Sequence, residues 1–151
     1  MMKRGSVVVR AGVRYAFTLA VTISAAGCSP SPITSARIEA AIERTFANLV
    51  ELQVFRLGLP RVTAPDFAVT AICRRQTSGK ESGSGEWTCT LVWQAPDRRT
   101  VRDTFDLFVA TDGCFTASAS GEGLGGPTLT TKDGRKVRNL LYAFEGCFDT
   151  T

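Results

Sequence analysis

The sequence predicts an α+β domain, with one N-terminal helix packed on a curved antiparallel sheet of four to six strands and two disulfides. Three observations predict it. One amphipathic segment, residues 35–58, places its apolar side chains at helical spacing. The apolar segments that follow it alternate with a period of two. Four cysteines, Cys73, Cys89, Cys114 and Cys147, are spread through those alternating segments. A β-sandwich with an added helix is the alternative arrangement.

The helical segment reads "SARIEAAIERTFANLVELQVFRLG". Ile38, Ile42, Phe46 and Leu49 fall on one face, with Ala41 and Val50 beside them. Arg37, Glu39, Glu43 and Arg44 take the other side. Thr34 or Ser35 caps the start, and Gly58 with Pro60 ends it. The polar face has mixed charge. A membrane-surface helix is richer in Lys and Arg, so this one is expected to cover a core.

Strands follow. In "FAVTAICRR", Phe67, Val69, Ala71 and Cys73 alternate with Ala68, Thr70, Ile72 and Arg74. In "EWTCTLVWQ", Trp87, Cys89, Leu91 and Trp93 share one face. "QTSGKESGSG" between them is a flexible loop. An antiparallel register that faces Cys73 with Cys89 also faces Ala71 with Leu91 and Val69 with Trp93. All these side chains then lie together, which is the ground for a Cys73–Cys89 disulfide. Val101, Phe105, Leu107 and Val109 line a third strand, interrupted by Asp103. "TDGC" is a tight turn into a fourth strand opened by Cys114. "GEGLGGP" is a loop, and "TLTTKDGRKV" is a hairpin about Lys132 to Arg135. "RNLLYAFEGCFD" is apolar and ends near Cys147, which is expected to bond Cys114 and staple this segment to the fourth strand. Three pairings of the four cysteines are possible in principle. The helix on one face of a curved sheet is the packing of cystatin-like folds.

The first 14 residues carry Lys3, Arg4, Arg10 and Arg14 and no acid. "YAFTLAVTISAA", Tyr15 to Ala26, is uncharged, and Ala26-Gly27 precede Cys28. Charge, short apolar run and small residues are the layout of a bacterial export signal. The run falls short of the roughly 20 residues that span a bilayer core. The competing reading, a buried helix of the domain, fits poorly behind four cations. "SPSPITSA", Ser29 to Ala36, is a solvated tether. The expected organisation is a signal over 1–27, a tether over 28–36 and one domain over 37–151.

"AAGC" resembles the lipobox of bacterial lipoproteins. That resemblance implies cleavage before Cys28, a diacylglyceryl group on its thiol and acylation of its new amino group. An ordinary secretory signal cut nearby is the alternative. Two or three acyl chains anchor firmly, since each buried methylene contributes about 0.8 kcal/mol. Assigning Cys28 to lipid leaves an even number of cysteines, as disulfides in an exported domain require.

Of 18 Lys and Arg, four precede Cys28, and none of the 14 Asp and Glu does. The remaining chain is balanced. No basic surface is left to neutralise phosphates, so nucleic acid is not an expected partner. No second apolar run is long enough to cross a membrane, which argues against a permease or channel made of this chain alone.

The chain has no histidine. That removes the commonest general base and the commonest metal ligand. The four later cysteines lack the close pairs of zinc sites and the Cys-x-x-Cys of redox sites, so disulfides are expected in their place. "GEGLGG", Gly121 to Gly126, matches Gly-x-Gly-x-x-Gly, but Pro127 and a Thr-rich strand follow where a dinucleotide site needs a helix. No Gly-x-Ser-x-Gly elbow occurs. Asp103 and Asp106 are three apart on a strand and point to opposite faces, a poor acid–base pair. Asp112 and Asp133 are turn residues. Trp87 and Trp93 could stack a sugar, but their face and spacing mark them as core. No cofactor, metal or catalytic residue is expected.

"IERTFANL", "WTCTLVW", "DGCFTA", "GGPTLT", "DGR" and "NLLYAFEGCFD" together are similar to a group of small lipoproteins of high-GC Gram-positive bacteria. The resemblance brings no established activity. It implies a lipid-anchored protein on the outer side of the cytoplasmic membrane, bound to the membrane through Cys28. The expected function is non-catalytic binding of an envelope protein, a wall polymer or a small ligand. A lipid or small-molecule carrier, or an accessory component of a transport system, is the alternative.

Overall fold

The computed structural model describes residues 32–77 and 82–150. Its first element is helix α1, Ser35–Arg56. Thr34 caps it, its hydroxyl oxygen accepting the Arg37 N–H at 3.4 Å. The helix stops at Leu57, where Gly58 turns the chain with φ 69°. A single 3-10 turn, Ala64–Phe67, leads into the sheet.

Seven strands follow: β1 Thr70–Arg75, β2 Gly85–Gln94, β3 Thr100–Val109, β4 Cys114–Ala119, β5 Thr128–Thr130, β6 Lys136–Arg138 and β7 Ala143–Cys147. The main sheet has the order β1-β2-β3-β4-β7, antiparallel throughout, and β5 pairs with β6 in a small sheet of its own. The α+β class read from the sequence is the architecture found. The hairpin expected about Lys132–Arg135 is the β5–β6 turn.

The β1–β2 register sets Cys73 opposite Cys89 and Ala71 opposite Leu91, as the alternation predicts. In β4–β7, Cys114 faces Cys147. Both pairs are disulfides, with Cα atoms 4.0 and 3.9 Å apart. Facing residues come this close only at non-hydrogen-bonded positions of an antiparallel ladder. The flanking backbone bonds agree: Gln76 N–H to Glu86 O, and Phe148 N–H to Gly113 O, fall on the alternate residues.

The core lies between α1 and one face of the sheet. Ile38, Ile42 and Phe46 are fully buried from the helix side, and Trp87, Leu91 and Phe105 from the sheet. Phe46 sits at the centre. Its ring lies 4.8 Å from Trp93, 5.6 Å from Phe105 and 5.9 Å from Phe144, centroid to centroid. Leu49 is only half-buried, and the apolar stripe instead continues through Val50 to Val54. At Gly146 the strand itself contributes no side chain, and neighbouring side chains fill the space. A Cβ there would stand 2.7 Å from the Phe115 ring and 2.9 Å from Thr45 Oγ1.

Three expectations are corrected. Residues 33–36, read as outside the domain, belong to the fold: Ile33 is buried in the core, its carbonyl accepts the Gly83 N–H at 2.8 Å, and α1 begins at Ser35. The first strand starts at Thr70, not Phe67. Pro65 fixes the 3-10 turn, the Asp66 carboxylate accepts from the Thr63 N–H and hydroxyl, and Ala68 adopts a left-handed φ of 42°. That local cost is offset by Phe67, which the turn drives into the core. The third correction concerns Glu39 and Glu43. They do not simply face solvent; they reach the sheet edge, as described below.

Candidate functional site

Cys28 lies outside the described residues. The other four cysteines are structural pairs on opposite faces of the sheet. Cys73 and Cys89 are buried among the core side chains. Cys147 is exposed and Cys114 half-buried on the outer face, away from α1.

The sequence singled out Asp103, and the structure gives it a use that spacing alone could not show. It is 4 % exposed and points into the glycine-rich loop. Its carboxylate accepts the backbone N–H of Thr104 at 2.8 Å and of Leu124 at 3.1 Å. The Gly-x-Gly-x-x-Gly stretch thus wraps a carboxylate of its own chain. A Cβ on Gly121 would lie 1.6 Å from Asp103 Oδ1. Gly121→Ala should therefore cost about 1–3 kcal/mol through forced displacement of the carboxylate or the loop. Denaturant melts of the variant and of a Gly126→Ala control would check this. A Gly121 effect no larger than that of Gly126, whose Cβ direction is open and whose φ is not positive, would contradict the clamp.

Asp106 is exposed on the opposite face from Asp103, so the two do not converge. Asp66, Asp97 and Asp133 are held below the usual carboxylate range. The causes are the Thr63 hydroxyl and N–H for Asp66, the Arg99 side chain and N–H for Asp97, and the Thr131 hydroxyl followed by Arg135 for Asp133. Each sits within its own turn. Such groups stay ionised and serve as turn braces rather than proton donors. Trp87 and Trp93 are buried, and the Trp87 indole N–H bonds Gly83 O at 3.2 Å, so neither ring is open to stack a ligand. Among the described residues no cluster of three or more Cys, Asp or Glu is arranged to hold a metal ion.

Two apolar grooves among the described residues include exposed aromatic rings. One, of about 350 Å³, lies at the end of α1 between Leu52, Phe55 and Arg61, where Phe55 is 73 % exposed. The other, of about 410 Å³, lies on the outer face over β3, β4 and β7. Phe108, Ala110, Thr116, Glu145 and the Cys114–Cys147 disulfide line it, and Phe108 is 57 % exposed.

The two edges of the main sheet differ, and this the sequence reading missed. At β1 the outward N–H groups are those of Ala71 and Cys73. Glu43 Oε1 accepts the first at 2.8 Å, and Glu39 Oε1 accepts the second at 2.9 Å. Two carboxylates one helical turn apart thus occupy an edge whose donors are two residues apart. At β7 the inward bonds belong to the even residues, as Ala119 N–H to Tyr142 O and Phe148 N–H to Gly113 O show. The N–H and C=O of Ala143, Glu145 and Cys147 therefore point away from β4. Among the described residues no strand pairs with that side. The signal available in the sequence was Glu39-x-x-x-Glu43, two acids at the spacing of one helix face.

Comparison of the chain with protein-family models, with curated proteins and with solved structures gave no match.

Proposed function

We propose that the chain is a lipid-anchored, non-catalytic envelope module, held on the outer side of the cytoplasmic membrane and binding a partner there. The observation that carries this is the charged start, short apolar run and "AAGC" ending at Cys28. The fold is consistent with an exported life, since two disulfides need an oxidising compartment to persist. No helix among the described residues is long and apolar enough to cross a membrane. Ile33 enters the core five residues beyond Cys28, so the tether reaches at most ~17 Å. The domain would stand against the headgroups, with the α1 start and the Ala110–Cys114 turn toward them.

Two features favour binding over carriage or catalysis. Phe46, Trp93, Phe105 and Phe144 fill the space between helix and sheet, where a carrier keeps its ligand. The carboxylates with altered acidity are all committed to turns.

Cys28→Ser should move the protein from the membrane fraction to the medium, or arrest it unprocessed. Incorporation of a labelled fatty acid should be lost with it. A variant that stays processed, labelled and membrane-bound would sink the anchor.

A further inference from the structure

We infer that the outer edge of β7 accepts an extended segment of a partner protein as an added strand, with a lysine or arginine of that segment opposite Glu145. This rests on the partner-binding reading above and says how such a partner is held.

The asymmetry of the edges is the first ground. An open edge templates strand pairing, and folded proteins commonly block it. Here one edge is blocked by Glu39 and Glu43, each on a backbone N–H that would otherwise bond a foreign strand. The β7 edge keeps three consecutive outward positions, Ala143, Glu145 and Cys147, and the latter two are exposed. The second ground is the groove. Strand addition draws its affinity from main-chain bonds and its selectivity from pockets that take alternate side chains. The residues of β7 that face outward are the ones whose N–H groups bond no strand among the described residues, and the groove lined by Phe108, Ala110 and the Cys114–Cys147 disulfide begins beside them.

Charge decides the occupant. If two copies paired antiparallel through all three outward positions, Glu145 would face Glu145, and like charges directly opposite are unfavourable. Glu145 also lies in one cross-strand row with Thr116, Phe108 and Glu86, so the groove has an acid at each side. A foreign strand with a cation opposite Glu145 and an apolar residue two positions away satisfies both the acid and the groove.

The test uses the full chain in detergent and two capped heptapeptides, Thr-Val-Thr-Lys-Thr-Val-Thr and the same peptide with Glu at its centre. The Lys peptide should slow amide exchange at Ala143, Glu145 and Cys147 and leave Ala71 and Cys73 unchanged. Glu145→Lys should weaken the Lys peptide about fivefold and strengthen the Glu peptide. The proposal falls if neither peptide slows β7 exchange, or if both bind equally. It falls too if the free protein is a dimer with these amides protected, or if phosphatidylglycerol vesicles protect them and the peptides do not. Fatty-acid labelling of Cys28 reports on the anchor separately. A labelled protein that ignores both peptides loses only the strand addition, and an unlabelled one that binds the Lys peptide keeps it.

Discussion

Phe46→Ala should lower the stability of the domain by about 3–5 kcal/mol, the usual range for removing a buried aromatic ring. The ring is fully buried and touches the sheet at Trp93 and Phe105 and the closing strand at Phe144. Trp93 and Phe105 sit on inner strands of the sheet, so the cavity has little means of collapsing. Small domains are stable by only ~5–15 kcal/mol, so this one change takes a large share. Urea unfolding should show a lower midpoint with an unchanged slope. Phe46→Leu should lose less than half as much. A loss under about 1 kcal/mol for the alanine variant would show that helix and sheet are not joined through this ring.

The second large effect concerns the disulfides. In the chain-entropy view, a bridge across 16 residues contributes about 3 kcal/mol and one across 33 residues somewhat more. Paired alanine replacement of Cys73 and Cys89 should nevertheless be the more damaging, because both sulfurs are buried and their loss adds a cavity. Reduction should follow exposure. Dithiothreitol should open Cys114–Cys147 first, since Cys147 is exposed, and Cys73–Cys89 only as the domain unfolds. Timed alkylation and peptide mapping would follow the order. Simultaneous loss of both bridges would contradict it.

Much of this architecture was legible in the residues. The strand register came from a single constraint, that Cys73, Ala71, Cys89 and Leu91 must share a face, and period-two geometry permits few alternatives. The helix was readable because Ile38, Ile42 and Phe46 repeat at helical spacing and Thr34 can cap. The Phe67–Val69 segment misled because its alternation is real, but Pro65 and the Asp66–Thr63 bonds impose a tight turn that side-chain pattern does not report. In the sequence Asp103 only interrupts an apolar face. Its partners lie on a loop 21 residues away, which no local pattern reveals. Glu39 and Glu43 fall on the polar side of the helix, where a charge normally meets solvent. What places them on β1 is the way the sheet curves around the helix, a property of the whole fold. Nothing in the spacing of the acids showed which edge would stay open.

The pairing of β7 with β4 sets the order in which the molecule can be completed. Residues 120–142 intervene between the two strands, and the Arg37 guanidinium, at the start of α1, lies over the Phe148 ring, 5.9 Å from its centroid. A chain interrupted before residue 143 can form α1 and β1 to β4, but it presents β4 as a raw edge, lacks Phe144 against Phe46, and has no thiol for Cys114. During synthesis the helix therefore waits for a segment more than one hundred residues downstream before its packing is finished. Contacts of such long range fold slowly. Any machinery that moves this polypeptide unfolded has its time window set by the emergence of β7, and a truncation that removes it should leave a sticky half-sheet rather than a smaller stable domain.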